Sequence, residues 1–154
     1  MLQYDFEESV GYWMTMGARA YQKALNDEVG PRGITWRQCQ VLGCLALEGE
    51  LSQIELADRM AIEGPTLVGI LDRMQRSGWI GRHDCPSDRR KKIVRATEQA
   101  QPVWAEIAAS GRRIRQRATI GLDAAEVAEL KRLLSVVQAN LLQPSNATPT
   151  ELAK

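Results

Sequence analysis

The architecture of this chain follows from residues 52–94, which read SQIELADRMAIEGPTLVGILDRMQRSGWIGRHDCPSDRRKKIV. Ser52 is a favourable N-cap residue, and Glu55, three positions later, completes the capping-box pattern that marks the start of a helix. The apolar residues that follow recur at helical spacing. We therefore predict a short helix over residues 52–60 at the front of the stretch.

A second helix follows after a tight link. Pro65 suits the first turn of a helix, where its missing N–H costs no hydrogen bond, and Gly78 suits the position just past a helix end. These two signals predict a helix over residues 64–77. A short helix, a tight link and a longer helix in this order are typical of a helix-turn-helix, whose second helix enters the DNA major groove with its N-terminal residues.

A two-stranded hairpin is predicted next. Trp79–His83 and Lys92–Arg95 read as short strands, and the turn-forming residues between them mark the connection. Four consecutive cations, Arg89 to Lys92, are expected at its tip. A hairpin directly after a helix-turn-helix forms a wing, and cations on it can neutralise phosphates or enter a narrow minor groove.

Long helices are predicted on both sides of this segment. Apolar residues recur at steps of three and four over residues 5–28. On the other side, Thr97 is expected to cap a long helix in which Pro102 predicts a bend or a delayed start, and Asp123 to cap a last helix. One winged helix cannot bury the apolar stripes of these helices, so we expect a two-fold partner.

These signals predict a mainly α fold with a small β-hairpin wing, in which a winged helix-turn-helix is flanked by long N- and C-terminal dimerisation helices. A single domain over residues 1–142 is expected. Within it, residues 35–96 would form the DNA-binding lobe, and residues 5–28 and 97–142 the dimerisation helices. Residues 143–154 are polar with two prolines and are expected to be a flexible tail.

Composition argues against several classes of protein. The chain has 154 residues, 44% hydrophobic and 25% charged, which fits one globular domain. No apolar run approaches the ~20 residues of a membrane span, and the N-terminus lacks a secretory signal, so we expect a cytoplasmic protein without membrane contact. Three cysteines and one histidine without ligand or catalytic spacing argue against a metal site, a cofactor and an enzyme.

Positive charge is concentrated in one part of the chain. The formal net charge is only +1, but residues 79–117 hold ten basic and four acidic residues. A local basic patch on a nearly neutral protein indicates a polyanion as the partner.

Several separated segments resemble the MarR family of bacterial transcription regulators, in particular its SlyA-like branch. They are SQIELA at 52–57, PTLV at 65–68, LDRM at 71–74, SGWI at 77–80 and SDRR at 87–90. The resemblance covers about residues 5–142. It implies a homodimer with interlocking first and last helices, a palindromic operator, and in many members release by a small aromatic or phenolic ligand or its CoA thioester.

The helix-turn-helix pattern and the resemblance together give a set of expected DNA-contacting residues. Either Arg89 or Arg90 would enter the minor groove, and Asp88 would brace the wing through an arginine. The chain departs from this branch at Gly69, where relatives often have an arginine, so other side chains must carry more of the base reading. The set comprises Ser52, Gln53, Pro65, Thr66, Gly69, Arg73, Arg82, Asp88, Arg89, Arg90, Lys91 and Lys92.

Aromatic and soft side chains outside the DNA-binding residues suggest an effector pocket between the dimerisation helices and the DNA-binding lobe. Trp36 is the favoured member because a tryptophan beside a helix start is often only partly buried. Each of these residues could equally belong to an ordinary core. The candidate set is Trp13, Met16, Trp36, Cys39, Trp104 and Ile107.

Three other functions stay open from the sequence. Cys85 lies in the wing among arginines that favour a thiolate, which would suit a redox-responsive regulator. A small enzyme using Cys85 or His83 lacks a second base at a recognisable spacing. A non-specific module that binds RNA or an acidic protein would also use a basic wing. For a DNA-bound dimer, repression is the default, because the dimer covers roughly 20 base pairs and can block polymerase.

Overall fold

The computed structural model describes residues 4–85 and 87–143, and of Arg89 and Arg90 it describes the backbone alone. Residues 1–3 of the predicted domain and all of the predicted tail except Gln143 lie outside the described residues. The described part forms six α-helices and three β-strands. In chain order they are α1 Val10–Val29, α2 Trp36–Glu48, β1 Leu51–Ser52, α3 Gln53–Met60, α4 Gly64–Arg76, β2 Ile80–Cys85, β3 Asp88–Ala96, α5 Ala100–Ala118 and α6 Ala124–Leu142.

Two helices of the lobe begin at complete capping boxes. The Ser52 hydroxyl accepts the N–H of Glu55 at 3.2 Å, and the Glu55 carboxylate accepts the N–H of Ser52 at 2.8 Å. The same reciprocal pair joins Thr35 and Gln38 at the start of α2. The hydrogen bonds from Ser52 also hold the pKa of Glu55 below its ordinary value. The predicted starts of these helices are therefore confirmed, because a cap depends on residues close in sequence.

The hydrophobic core lies in the first of two units into which the chain divides, residues 1–115 and 116–154. The helices α1 to α5 and the sheet contribute to it. Its buried residues include Leu25, Val29, Val41, Leu42, Leu56, Met60, Leu67, Ile70, Leu71, Met74, Ile80, Val94, Ile107 and Ile114.

The predicted hairpin is confirmed, but it belongs to a three-stranded antiparallel sheet in the order β1-β3-β2. Strand β1 pairs Leu51 with Val94, a contact that the sequence analysis did not anticipate. The expectation that the cations Arg89 to Lys92 lie at the hairpin tip was wrong. Asp84 pairs with Lys92 and, after an irregularity in the register, Cys85 pairs with Asp88, so these cations lie within β3.

The first helix begins later than predicted. Residues 6–8 form a 3-10 turn, and the helix predicted from residue 5 begins only at Val10. Ser9 is the reason, since its hydroxyl accepts the N–H of Tyr12 at 3.2 Å and caps α1.

The predicted cap at Thr97 was also wrong. Its hydroxyl donates to the carbonyl of Gly78, and its N–H donates to the carbonyl of Trp79 at 3.0 Å. Thr97 thus ties the end of the sheet to the end of α4 instead of capping a helix. Helix α5 begins at Ala100, which puts Pro102 in its first turn and confirms the delayed start.

Apolar side chains remain exposed on helices in both units. Helix α6, capped by Asp123 as predicted, has no buried residue. Its exposed apolar residues are Leu130, Leu133, Leu134, Val136, Leu141 and Leu142, and those in and before α1 are Tyr4, Phe6, Val10, Trp13, Met16 and Tyr21. Water would surround this apolar surface in an isolated chain, so both helices offer surface for a partner.

The turn of the helix-turn-helix contains a strained residue. Ala61 caps the C-terminus of α3 in the left-handed region, with φ 48° and ψ 52°. Its N–H donates to the carbonyls of Ala57 and Asp58. This conformation costs an L-residue with a Cβ roughly 1 kcal/mol, whereas glycine adopts it freely.

We therefore expect Ala61→Gly to raise the free energy of unfolding by about 0.5–1 kcal/mol, because the relief of strain exceeds the extra entropy of the unfolded chain. Urea unfolding followed by circular dichroism measures the change. Ala105→Gly on the exposed side of α5 is the matched control and should cost about 1 kcal/mol. Equal destabilisation by both substitutions would contradict the assigned strain.

Candidate nucleic-acid interface and ligand pocket

Helix α4 has one face that lies outside the core and is exposed. Its apolar residues Leu67, Ile70, Leu71 and Met74 are buried, which fixes the rotation of the helix. Residues on the other side of the helix, which include Pro65, Thr66, Val68, Arg73 and Arg76, are exposed. Within the described residues, neither Arg73 nor Arg76 has an ion-pair partner. The exposed face is thus small and apolar at its N-terminal end and cationic at its C-terminal end.

The residues predicted on α3 and the start of α4 differ in how accessible they are. Ser52 is only 7% exposed, and the capping box occupies its hydroxyl, so it shapes α3 and leaves little side chain for DNA. Gln53 and Gly69 are half-buried, whereas Pro65 and Thr66 are exposed. The structure thus places Thr66 where a partner can reach it.

Arg82 connects the wing to α4. Its Nη2 donates to Asp72 Oδ1, and its Nε donates to Gln75 Oε1 at 2.6 Å. Only 22% of the Arg82 side chain is exposed. A guanidinium with two fixed acceptors is oriented by them, so Arg82 holds β2 against α4 in addition to carrying charge near it.

The wing keeps less positive charge than its sequence suggests. Lys91 and Lys92 are exposed on β3, and the ammonium of Lys92 pairs with Asp84 on the opposite strand. Asp88 begins β3 and is half-buried. The side chains of Arg89 and Arg90 lie outside the described residues, so their predicted minor-groove role stays a prediction.

Arg37 is a candidate contact that the sequence analysis missed. It lies in the first turn of α2, and its guanidinium donates to Gln40 Oε1 at 2.8 Å and to the carbonyl of Met60 at 3.5 Å. It lines a surface groove together with Asp58 and Thr66. The predicted helix start at Thr35 located this residue, but only the fold brings α2 beside the start of α4.

A pocket lies among α1, α2 and α5. Four of the six predicted effector residues line it, namely Trp36, Cys39, Trp104 and Ile107. Its volume is about 260 Å³, and the other lining residues are Tyr21, Leu25, Gln40, Gly43, Ala108 and Gly111. The size and the apolar walls suit one aromatic ring.

Trp13 and Met16 do not line this pocket. Both are exposed on α1, and the Trp13 side chain is 59% exposed. The Trp13 indole N–H donates to the carbonyl of Glu7 at 2.8 Å. Helical spacing alone put these residues on the same helix as Tyr21 and Leu25, but they lie more than one turn away from the pocket.

The three cysteines have different surroundings. Burial raises the pKa of the Cys39 thiol to about 11 and also raises that of Cys44. Hydrogen bonds from the Ser87 hydroxyl and from the Ser87 and Asp88 N–H groups hold the pKa of Cys85 below its ordinary value. The Cys85 thiol is therefore the most easily ionised of the three, and the hydrogen bond from the Ser87 side chain is the largest cause.

Residues 4–85 and 87–143 hold neither a cluster of metal-ligating side chains nor a helix that could span a membrane. In those residues, no three or more side chains of His, Cys, Asp or Glu converge in a way that could hold a metal ion. None of the helices there is long and apolar enough to cross a membrane.

Most of the lobe is similar to a known family of proteins. Residues 34–92 match the model of the MarR family. A cysteine-to-serine mutant of E. coli MarR, solved in complex with operator DNA, is 28% identical with a TM-score of 0.75, and the match covers 88% of this chain and 99% of that one. The wild-type E. coli MarR in its apo form is 28% identical with a TM-score of 0.74, covering 84% of this chain and 96% of that one.

A more distant regulator shares the fold. The Bordetella bronchiseptica protein BpsR, whose DNA binding is regulated by 6-hydroxynicotinic acid, is 24% identical with a TM-score of 0.75, and the match covers 89% of this chain and 98% of that one. The matched segment, residues 34–92, contains the capping boxes, α4 and the cationic part of β3 described above. Residues 34–92 of this chain are therefore similar to the MarR family domain, within a fold that the chain shares with MarR regulators.

Proposed function

We propose that the protein is a homodimeric, sequence-specific DNA-binding transcription regulator that represses transcription until a small aromatic ligand releases it. The exposed face of α4 carries this proposal. A major groove about 12 Å wide accepts one α-helix, and α4 offers exposed side chains over its whole length. Support also comes from the E. coli MarR mutant bound to operator DNA, whose match covers 88% of this chain.

Electrostatics favour a nucleic acid over a protein as the partner. Arg37 lies beside the start of α4, Arg73 and Arg76 lie on it, and Lys91 is exposed on β3. Three of these four cations thus lie on α4 or beside its start, next to the exposed face. Each phosphate that they neutralise releases counterions, so the affinity should fall steeply with salt.

A second copy of the chain is the expected cover for the apolar residues of α1 and α6. A surface of this kind is costly in water, and two-fold dimers are the commonest solution. A dimer would present two copies of α4 about 34 Å apart, one turn of DNA, which requires a palindromic operator. A protein that covers two such half-sites obstructs polymerase, which favours repression.

The pocket of Trp36 and Trp104 is the proposed effector site. Its walls come from α2, which belongs to the lobe, and from α1 and α5, which flank it. A ligand that wedges between them would move the lobe relative to its flanking helices. The volume of about 260 Å³ admits an aromatic acid, whereas a CoA thioester would place only its acyl end inside.

Selection of bound duplexes from a random pool should recover a palindrome, and we expect Arg90→Ala to weaken operator binding by about 1–3 kcal/mol. Lys91→Ala should lower the slope of log affinity against log salt by about one, because one phosphate contact is lost. Lys23→Ala on α1, outside the lobe, is the matched control. Failure to prefer any duplex, even at low salt, would end the proposal.

Light scattering after size exclusion should give twice the chain mass of 17.2 kDa at micromolar concentration. Leu134→Glu on α6 should shift the protein toward monomer, because it places a charge in the apolar contact. Ala128→Glu adds the same charge at an exposed position of α6 outside the apolar contact, and it should leave the measured mass of the protein unchanged. A wild-type species of single-chain mass would remove the homodimer.

Aromatic acids that release the operator should quench the fluorescence of Trp36 and Trp104 in a Trp13→Phe, Trp79→Phe background. Ala108→Phe fills the pocket and should weaken ligand binding at least about tenfold. Ala105→Phe, on the exposed side of α5, is the matched control. If release persists unchanged in Ala108→Phe, the effector binds elsewhere.

A further inference from the structure

The end of α4 that would enter the major groove has an unusual composition. Residues 64–70 read GPTLVGI and contain no charged side chain and no amide. Arginine, lysine, asparagine and glutamine are the residues that usually form paired hydrogen bonds with base edges. The Thr66 hydroxyl is the one side-chain hydrogen-bonding group in these first two turns.

Val68 supplies apolar surface at this end. It is 40% exposed, although the neighbouring Leu67 is buried. It lines a surface groove of about 360 Å³ between α3 and α4 together with Ile54, which is 62% exposed, and Gln53. Gln53, Asp58 and Glu63 supply the polar groups of this groove, and Ile54 and Val68 supply exposed apolar surface.

Gly69 leaves a notch beside Val68. A Cβ built at this glycine would meet only Arg73 Nη1, at 3.9 Å. No neighbouring side chain therefore requires glycine here, and its backbone is helical. The missing side chain allows the backbone of α4 to come closer to a partner than any larger residue would permit.

The thymine C5 methyl is the apolar group that base pairs present in the major groove. We propose that Val68, together with the methyl of Thr66, reads thymine methyl groups in each half-site, and that the notch at Gly69 admits the helix close enough for this contact. Operator selectivity at these positions then depends on methyl burial instead of guanine-reading arginines. This inference rests on the proposed function, since it assigns how the same helix selects its operator.

Deoxyuridine substitution tests the contact directly. Its base, uracil, differs from thymine only in lacking the C5 methyl, so base pairing and the hydrogen bonds of the base edge are preserved. Each thymine of the selected operator is replaced in turn, and dissociation constants are measured by fluorescence anisotropy. At the contacted positions we expect about a fourfold loss of affinity per methyl.

Variants of Val68 identify the side chain responsible. Val68→Ala should bind the thymine operator about fourfold more weakly and respond no further to deoxyuridine at the contacted position. Val68→Thr keeps one methyl, so its affinity for the thymine operator should lie between those of the wild type and Val68→Ala. Leu47→Ala, at a residue 84% exposed on α2, is the matched control and should keep the full response. Melting curves check that each variant is folded.

The outcomes separate this inference from the proposed function. Tight operator binding that ignores deoxyuridine at every position would overturn the methyl contact and leave the regulator intact. A full deoxyuridine response in Val68→Ala would overturn the role of Val68. Failure of the wild-type protein to select any duplex would overturn both.

Discussion

Burial of one face of α4 is the constraint on which the rest of the molecule depends. Its four buried side chains are Leu67, Ile70, Leu71 and Met74, each at most 3% exposed. Burying a side chain of this size contributes about 1.5–3 kcal/mol, so rotation of the helix about its axis is strongly opposed. With a period of 3.6 residues, the positions between them must then face outward. Packing within the lobe therefore determines which side chains are offered to a partner.

The wing is held by local contacts that use up part of its charge. Arg82 forms its hydrogen bonds to Asp72 and Gln75 of α4, and Lys92 pairs with Asp84 across the hairpin. Ion pairs this close to solvent contribute little to stability, but they fix where the remaining cations lie. A count of ten basic residues in 79–117 thus overstates the charge available to DNA. These pairs thus neutralise part of the positive charge of the wing, and they hold the wing at a defined position against α4.

Features that depend on nearby residues could be predicted from the sequence, whereas features that depend on distant pairing could not. The capping box of Ser52 and the helix end before Gly78 are local, and both were predicted. Strand β1 has two residues and exists only because Leu51 meets Val94, far along the chain. For the same reason, the sequence did not reveal that Arg37 lies beside the start of α4. It also grouped Trp13 with the pocket residues, since helical periodicity gives a face but not a position along the axis.

In the proposed regulator, exposed apolar surface would connect assembly, operator choice and release. The surfaces of α1 and α6 include many large side chains, and hydrophobic attraction grows with area, so they suit a permanent contact between copies. On α4 the corresponding surface is small, so the proposed operator contact would give selectivity without sufficient affinity. In the proposed dimer, coupling of two lobes would compensate, because binding of the first would bring the second to its half-site at a high effective concentration. That gain would exist only while the two copies of α4 kept the spacing of one DNA turn. A ligand in the pocket among α1, α2 and α5 would thus need to change only that spacing, and not any DNA contact, to release the operator.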